Sequence, residues 1–112
     1  MTKRKFKIGT LILGGEEYPA CVNVRVMQRL EDAGISLEGV LSEGGRRWSN
    51  LAKLVALAIE EGTALAGGDD PAPTEDEISS MIDITDLEDV SGQLAILLGS
   101  KNRTVEAEAP KN

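Results

Sequence analysis

The chain has 112 residues and a formal net charge of −7, with one cysteine, no histidine and three aromatic side chains, Phe6, Tyr18 and Trp48. That length fits one domain with a modest aliphatic core. A single cysteine excludes a disulfide framework and a thiolate zinc site, the missing histidine removes the usual general base and commonest metal ligand, and no apolar run reaches the roughly 18 residues a membrane span needs.

The charge is unevenly placed. Residues 1–53 hold nine basic and six acidic side chains, residues 54–100 hold eleven acidic and no basic ones, and residues 101–112 hold three basic and two acidic. Such an acidic second half would repel DNA, so no nucleic-acid partner is expected. The basic start, with Lys3, Arg4, Lys5 and Lys7, lacks the apolar stretch of a signal peptide. A reducing, cytoplasmic setting is the resulting expectation.

Phe6 to Leu13 alternates as a strand, and Gly14-Gly15 signals a turn. Tyr18 to Val22 reads as the returning strand, so a hairpin is expected over 6–22, with Pro19 at an edge. A lone ribbon is marginal in water and must lie on helices. Asn23 is a plausible N-cap for a helix over 23–33, carrying Val26, Met27 and Leu30, which Gly34 stops. Ile35 and Leu37 are expected to plug the core.

The longest apolar-periodic stretch is Arg46 to Gly62, and the rest of the chain should pack around it. Leu51, Leu54, Val55, Ala58 and Ile59 fall at i, i+3, i+4, i+7 and i+8, one face of a helix. Ser49 or Asn50 would cap its start and Gly62 would end it at φ > 0, with Thr63 to Ala66 able to extend it by a frayed turn. Residues 67–73 break the chain with two glycines and two prolines. Thr74-Glu75-Asp76-Glu77 is a capping box opening a helix over 74–83. Thr85-Asp86-Leu87-Glu88 reads as a second one, opening a helix over 86–98 with Leu87, Val90, Leu94, Leu97 and Leu98 on its apolar face and Gly99 at its end. No apolar periodicity follows, so 100–112 reads as a disordered tail. The expected fold is α+β, mostly α: an N-terminal hairpin on a bundle of about four helices, one globular domain over 1–99.

No catalytic constellation emerges. Cys21 has no histidine to activate it and reads as a small buried hydrophobe. Adjacent acids such as Glu60-Glu61 do not share a helix face, and Asp69 to Glu77 lacks the ligand spacing of a calcium loop. The glycine pairs at 14, 44 and 67 lack a phosphate-loop pattern. No enzyme activity, metal or cofactor is expected; a binding or assembly protein remains.

The order of segments FKIGTLILGGEEYPACVNVRVMQRLEDAGISLEGV, LAKLVALAIEEG and TEDEISSMIDITDLEDVSGQLAILL resembles the small tail assembly chaperones of long-tailed, non-contractile bacteriophages and prophages. The shared marks are Gly15, Glu17 and Tyr18, then Asn23, Arg25, Leu30 and Glu31, then Thr74, Glu75, Glu77 and Ile78; Pro19 departs from the apolar residue usual there. The resemblance implies a protein of the host cytoplasm that coats the tape measure protein, keeps it soluble, recruits major tail protein subunits and is absent from the mature virion. It also implies a longer frameshifted product, and Pro110-Lys111-Asn112 is compatible with the slippery codons CCA AAA AAC.

A tape measure protein is a long amphipathic helix, so an apolar groove should receive it. That groove is expected between the central helix and the last, with Trp48, Leu94, Leu97 and Leu98 as partner-contacting residues. The competing reading is that Leu97 and Leu98 simply close the core. Self-association through the hairpin edge is compatible with the sequence. The alternative function is an acidic nucleic-acid mimic, or another small phage-encoded inhibitor of a host protein.

Overall fold

Gly14 and Gly15 both take positive φ, 58° and 83°, the requirement of a two-residue type I′ turn. They join β1 (Lys3–Leu13) to β2 (Glu16–Ala20) in the computed structural model, which describes residues 3–36, 48–68, 71–98 and 103–108. So tight a turn pairs Leu13 directly with Glu16, and β2 therefore begins two residues earlier than the expected Tyr18 and ends at Ala20. Leu11 and Leu13 are buried, whereas Thr10 and Ile12 between and beside them are exposed. Pro19 stands opposite Thr10, where the turn's register directs a residue's N–H away from β1. Strand β2 lies at one edge of the sheet, so the missing donor costs no ladder bond.

Helix α1 (Val24–Asp32) starts on Asn23, whose side-chain oxygen accepts from the Val26 N–H at 3.1 Å. It buries Val26 and Leu30. Gly34, at φ 76°, closes it: the Gly34 N–H donates to Glu31 and the Ile35 N–H to Leu30, both at 2.9 Å. This is the Schellman arrangement, and its apolar follower Ile35 packs on the core as expected. Leu37 lies outside the described residues, as do Arg46, Arg47 and Gly99.

Helix α2 (Trp48–Leu65) is the centre of the fold, packed against β1, β2, α1 and the helix that follows. Leu51, Leu54, Val55, Ala58 and Ile59 are all buried, and Ala52 and Leu57 beside them are buried as well. Gly62 does not end this helix, contrary to the expectation. It lies inside it, at a backbone crossing with Ala20, and the helix ends at Gly67 (φ 74°) through Gly68 N–H to Thr63 and Gly67 N–H to Ala64 bonds. The Cys21 N–H donates to the Ala58 carbonyl at 2.9 Å, fastening the hairpin to the helix beside that crossing.

The capping box of helix α3 (Glu75–Met81) is present in both halves: Glu77 N–H to Thr74 Oγ1 at 3.2 Å and Thr74 N–H to Glu77 Oε1 at 3.0 Å. The second box is not. Thr85 instead turns back on Asp83, whose Oδ1 accepts from both the backbone N–H and the hydroxyl of Thr85. Asp83 thereby opens a 3-10 turn (Ile84–Asp86) that feeds helix α4 (Leu87–Leu98).

These two hydrogen bonds hold the Asp83 carboxyl below its usual 3.8. A depressed folded-state value stabilises the fold above the unfolded-state value, and that contribution is lost as pH falls below about 3.8 and through the folded one. Acid should therefore lower the thermal midpoint, and Asp83→Asn should remove this part of the acid slope; identical slopes in the two proteins would show the turn to be insensitive to that charge.

Helix α4 packs on β1 and buries Val90, Leu94 and Leu97. Between these two elements Gln93 does an unusual job. Its Oε1 accepts from the Ile12 N–H at 2.6 Å and its Nε2 donates to the Ile12 carbonyl at 3.0 Å. One side-chain amide thus satisfies both backbone groups of Ile12 on the side away from β2, as a neighbouring strand would. Asp89 Oδ2 holds the same Nε2 at 3.0 Å.

The expected tail over 100–112 needs correction over Arg103–Glu108, which forms β3 and pairs antiparallel with β1. The register runs from Ile8 opposite Arg103 to Lys3 opposite Glu108. It places positions 106 and 108 opposite positions 5 and 3. The sheet order is β2-β1-β3. The result is α+β and mostly helical, with the N-terminal hairpin and four α-helices among the described residues.

Candidate functional site: an apolar cleft beside Trp48

The first turn of α2 and the connection from α3 to α4 do not close on each other. Trp48, Ser49, Leu51 and Ala52 form one wall of a cleft, and Ser79, Ile82, Ile84 and Leu87 form the other, around a volume of about 350 Å³. Local chain physics explains the gap. Helix α3 stops at Met81, and the 3-10 turn held by Asp83 redirects the chain before α4 begins. This brief change of direction leaves Ile84 outside both helices. It is 75% exposed and Trp48 is 60% exposed, so two large apolar side chains stand in water at one mouth. A cleft of this size, largely apolar with serine hydroxyls at its rim, is suited to holding apolar side chains of a partner.

The site residues expected from the sequence are divided by the structure. Trp48 lies on the cleft. Leu94 and Leu97 do not: they are 0% and 3% exposed and belong to the core, where α4 covers the hairpin. Leu98 is partly exposed at the end of α4, away from the cleft. The groove expected between the central and last helices is replaced by one between α2 and the α3–α4 connection, to which α4 lends only its first residue, Leu87. The reason is that α4 spends its apolar face on β1.

Ile82, Ile84 and Leu87 were missed as site residues. Their signal was faint but present: three large aliphatics set among Asp83, Thr85, Asp86 and Glu88, at a spacing that suits neither one helix nor one strand.

Elsewhere the chemistry is quiet. Among the described residues Glu61 is the buried charged one, 6% exposed. It accepts from Asn23 Nδ2 at 2.7 Å, and Arg25 Nε stands 3.9 Å away. Asn23 therefore caps α1 with its oxygen and anchors Glu61 with its nitrogen, a structural joint between α1 and α2. Burial, and then Glu61, push the Cys21 thiol up, the opposite of an activated nucleophile. The Tyr18 hydroxyl is raised by burial and by its bond to Glu16. Among the described residues no group of His, Cys, Asp and Glu is placed to hold a metal ion, and no helix is long and apolar enough to cross a membrane.

No protein-family model, curated protein or solved structure matches this chain.

Proposed function

We propose that the protein is a tail assembly chaperone of a long-tailed, non-contractile bacteriophage or prophage, acting in the host cytoplasm to keep the tape measure protein soluble and to help recruit major tail protein subunits. The observation that supports this reading is the apolar cleft with Trp48 and Ile84 exposed at its mouth. A long amphipathic helix aggregates through its apolar stripe unless that stripe is covered. A cleft between helices covers it by the helix-in-groove mode, one or two anchoring side chains at a time. Many copies would then coat one long partner.

The acidic-mimic alternative has less support. Mimicry needs carboxylates displayed along one face, whereas Glu77, Asp83 and Asp89 are each engaged in a local hydrogen bond that starts or braces a helix.

Co-expression with the phage's tape measure protein tests the proposal. The tape measure protein should be soluble with this chain and insoluble without it. Ile84→Gln should forfeit most of that protection while folding normally, because Ile84 is exposed. Equal solubility with and without the chain would remove the proposal.

A further inference from the structure

Antiparallel pairing turns the N–H and C=O of successive residues alternately toward the partner strand and away from it. Both backbone groups of Ile12 face away from β2, since Gln93 takes them on that side. Glu17, the residue paired with Ile12, therefore turns its own N–H and C=O away from β1, to the outer edge of the sheet. Further along that edge Pro19 has no N–H to offer, and the Cys21 N–H is taken by the Ala58 carbonyl of α2. Among the described residues no hydrogen bond reaches the outward N–H or C=O of Glu17.

The Glu17 edge opens onto a hollow of about 290 Å³, apart from the Trp48 cleft. Four consecutive residues, Glu16 to Pro19, line it. Side chains of consecutive strand residues alternate between faces, so a hollow shared by all four runs along the edge. Its far wall is Thr63, Gly68 and the run Pro71-Ala72-Pro73. With two prolines in three residues, that run does not pair with β2 as a strand, and the edge stays uncovered. Among the described residues the charges lining the hollow are the Glu16 and Glu17 carboxylates, both exposed.

We propose that this edge is a second docking site, and that its occupant is an extended segment of a partner protein with a lysine or arginine opposite Glu17. One residue of an added antiparallel strand supplies both the acceptor for the Glu17 N–H and the donor for its C=O. A helix has already spent its backbone groups and does not fit. A basic side chain on that residue lies on the same face of the sheet as the Glu17 carboxylate, directly across from it. Charge and proline ordinarily blunt an open edge, and both are present here. They blunt it against a second copy of this chain, because a two-fold antiparallel pairing centred on Glu17 sets Glu17 against Glu17. A basic strand meets no such repulsion.

Nuclear magnetic resonance on the isotope-labelled full chain tests the proposal. In the free protein the Glu17 amide should exchange with solvent freely, while those of Tyr18 and Ala20, which face β1, are protected. Two capped peptides of alternating threonine and valine are then added, one with a central lysine and one with a central glutamate. The lysine peptide should shift and protect the Glu17 amide and saturate. The glutamate peptide should bind about fivefold more weakly, because a favourable cross-strand pair becomes a like-charge one. Methylating the central backbone nitrogen of the lysine peptide should abolish the protection, since it removes the donor to the Glu17 carbonyl. Glu17→Lys should reverse the preference between the peptides with an unchanged circular dichroism spectrum.

Slow exchange of Glu17 in the free protein, no binding of the lysine peptide, equal binding of both peptides, or shifts confined to Trp48 and its neighbours would each overturn the proposal. So would protection of Glu17 that rises with protein concentration in the absence of peptide, which would make a second copy the occupant. The co-expression result bears on the Trp48 cleft alone, so this edge and the chaperone reading stand or fall separately.

Discussion

Gly62→Ala should destabilise the protein by about 2–3 kcal/mol, although alanine normally improves a helix interior by about 1 kcal/mol. The sign reverses because Gly62 is where α2 meets the backbone of β2. A methyl group there would stand 2.6 Å from the Pro19 carbonyl carbon and closer still to the Ala20 nitrogen and Cα. The obstacle is main chain, which cannot rotate aside as a side chain does. Nor can the hairpin withdraw cheaply, since the Cys21 N–H to Ala58 bond fixes it one turn along the same helix. Thermal unfolding followed by circular dichroism should show a midpoint lower by on the order of 10 °C. An unchanged or higher midpoint would mean that the two backbones can part without loss.

Leu94→Ala should cost about 2–5 kcal/mol, the range for emptying a buried leucine site. Leu94 is 0% exposed and packs in the main core cluster with Val90 and Leu97. The experiment also separates a core role for Leu94 from the partner contact expected from the sequence. A core residue loses stability on truncation, measured by urea unfolding, and any loss of partner binding follows from the unfolded fraction. A partner-contacting residue would lose binding at full stability. The burial predicts the first outcome, and a stable Leu94→Ala protein that no longer binds would restore Leu94 to the site.

The order of elements was legible because each carries a strong local signal. The stripe from Leu51 to Ile59 declares a helix by its period, and Thr74 with Glu77 declares a start by its reciprocal hydrogen bonds. Three features were not legible, each for a physical reason. Gly62 reads as a stop because glycine ends helices at positive φ; its other use, close approach of two backbones, depends on a neighbour 42 positions away (62 − 20) that no local pattern indicates. Strand β3 alternates over only two apolar positions, Val105 and Ala107, too short a pattern to stand out without its pairing to β1. The cleft was misplaced because Leu94, Leu97 and Leu98 look alike in sequence, and only the docking of α4 on β1 decides which of them meets water. Trp48 stays exposed at the mouth of the cleft, since a tryptophan at the start of a helix has fewer neighbours to bury it.

Gln93 sets a different kind of constraint. It is half-buried, and by exposure alone position 93 would tolerate many residues. Yet the peptide unit it faces asks for an acceptor and a donor on one planar group, at one reach, from one helical turn. Glutamate supplies no donor, asparagine is a methylene too short, and lysine or arginine supplies no acceptor. The alphabet at position 93 therefore shrinks toward a single letter, while Leu98 a few residues on, with no comparable bond to satisfy, is exchangeable. In this small fold the narrowest choice on α4 lies not in its oily face but in an amide that stands in for a missing strand.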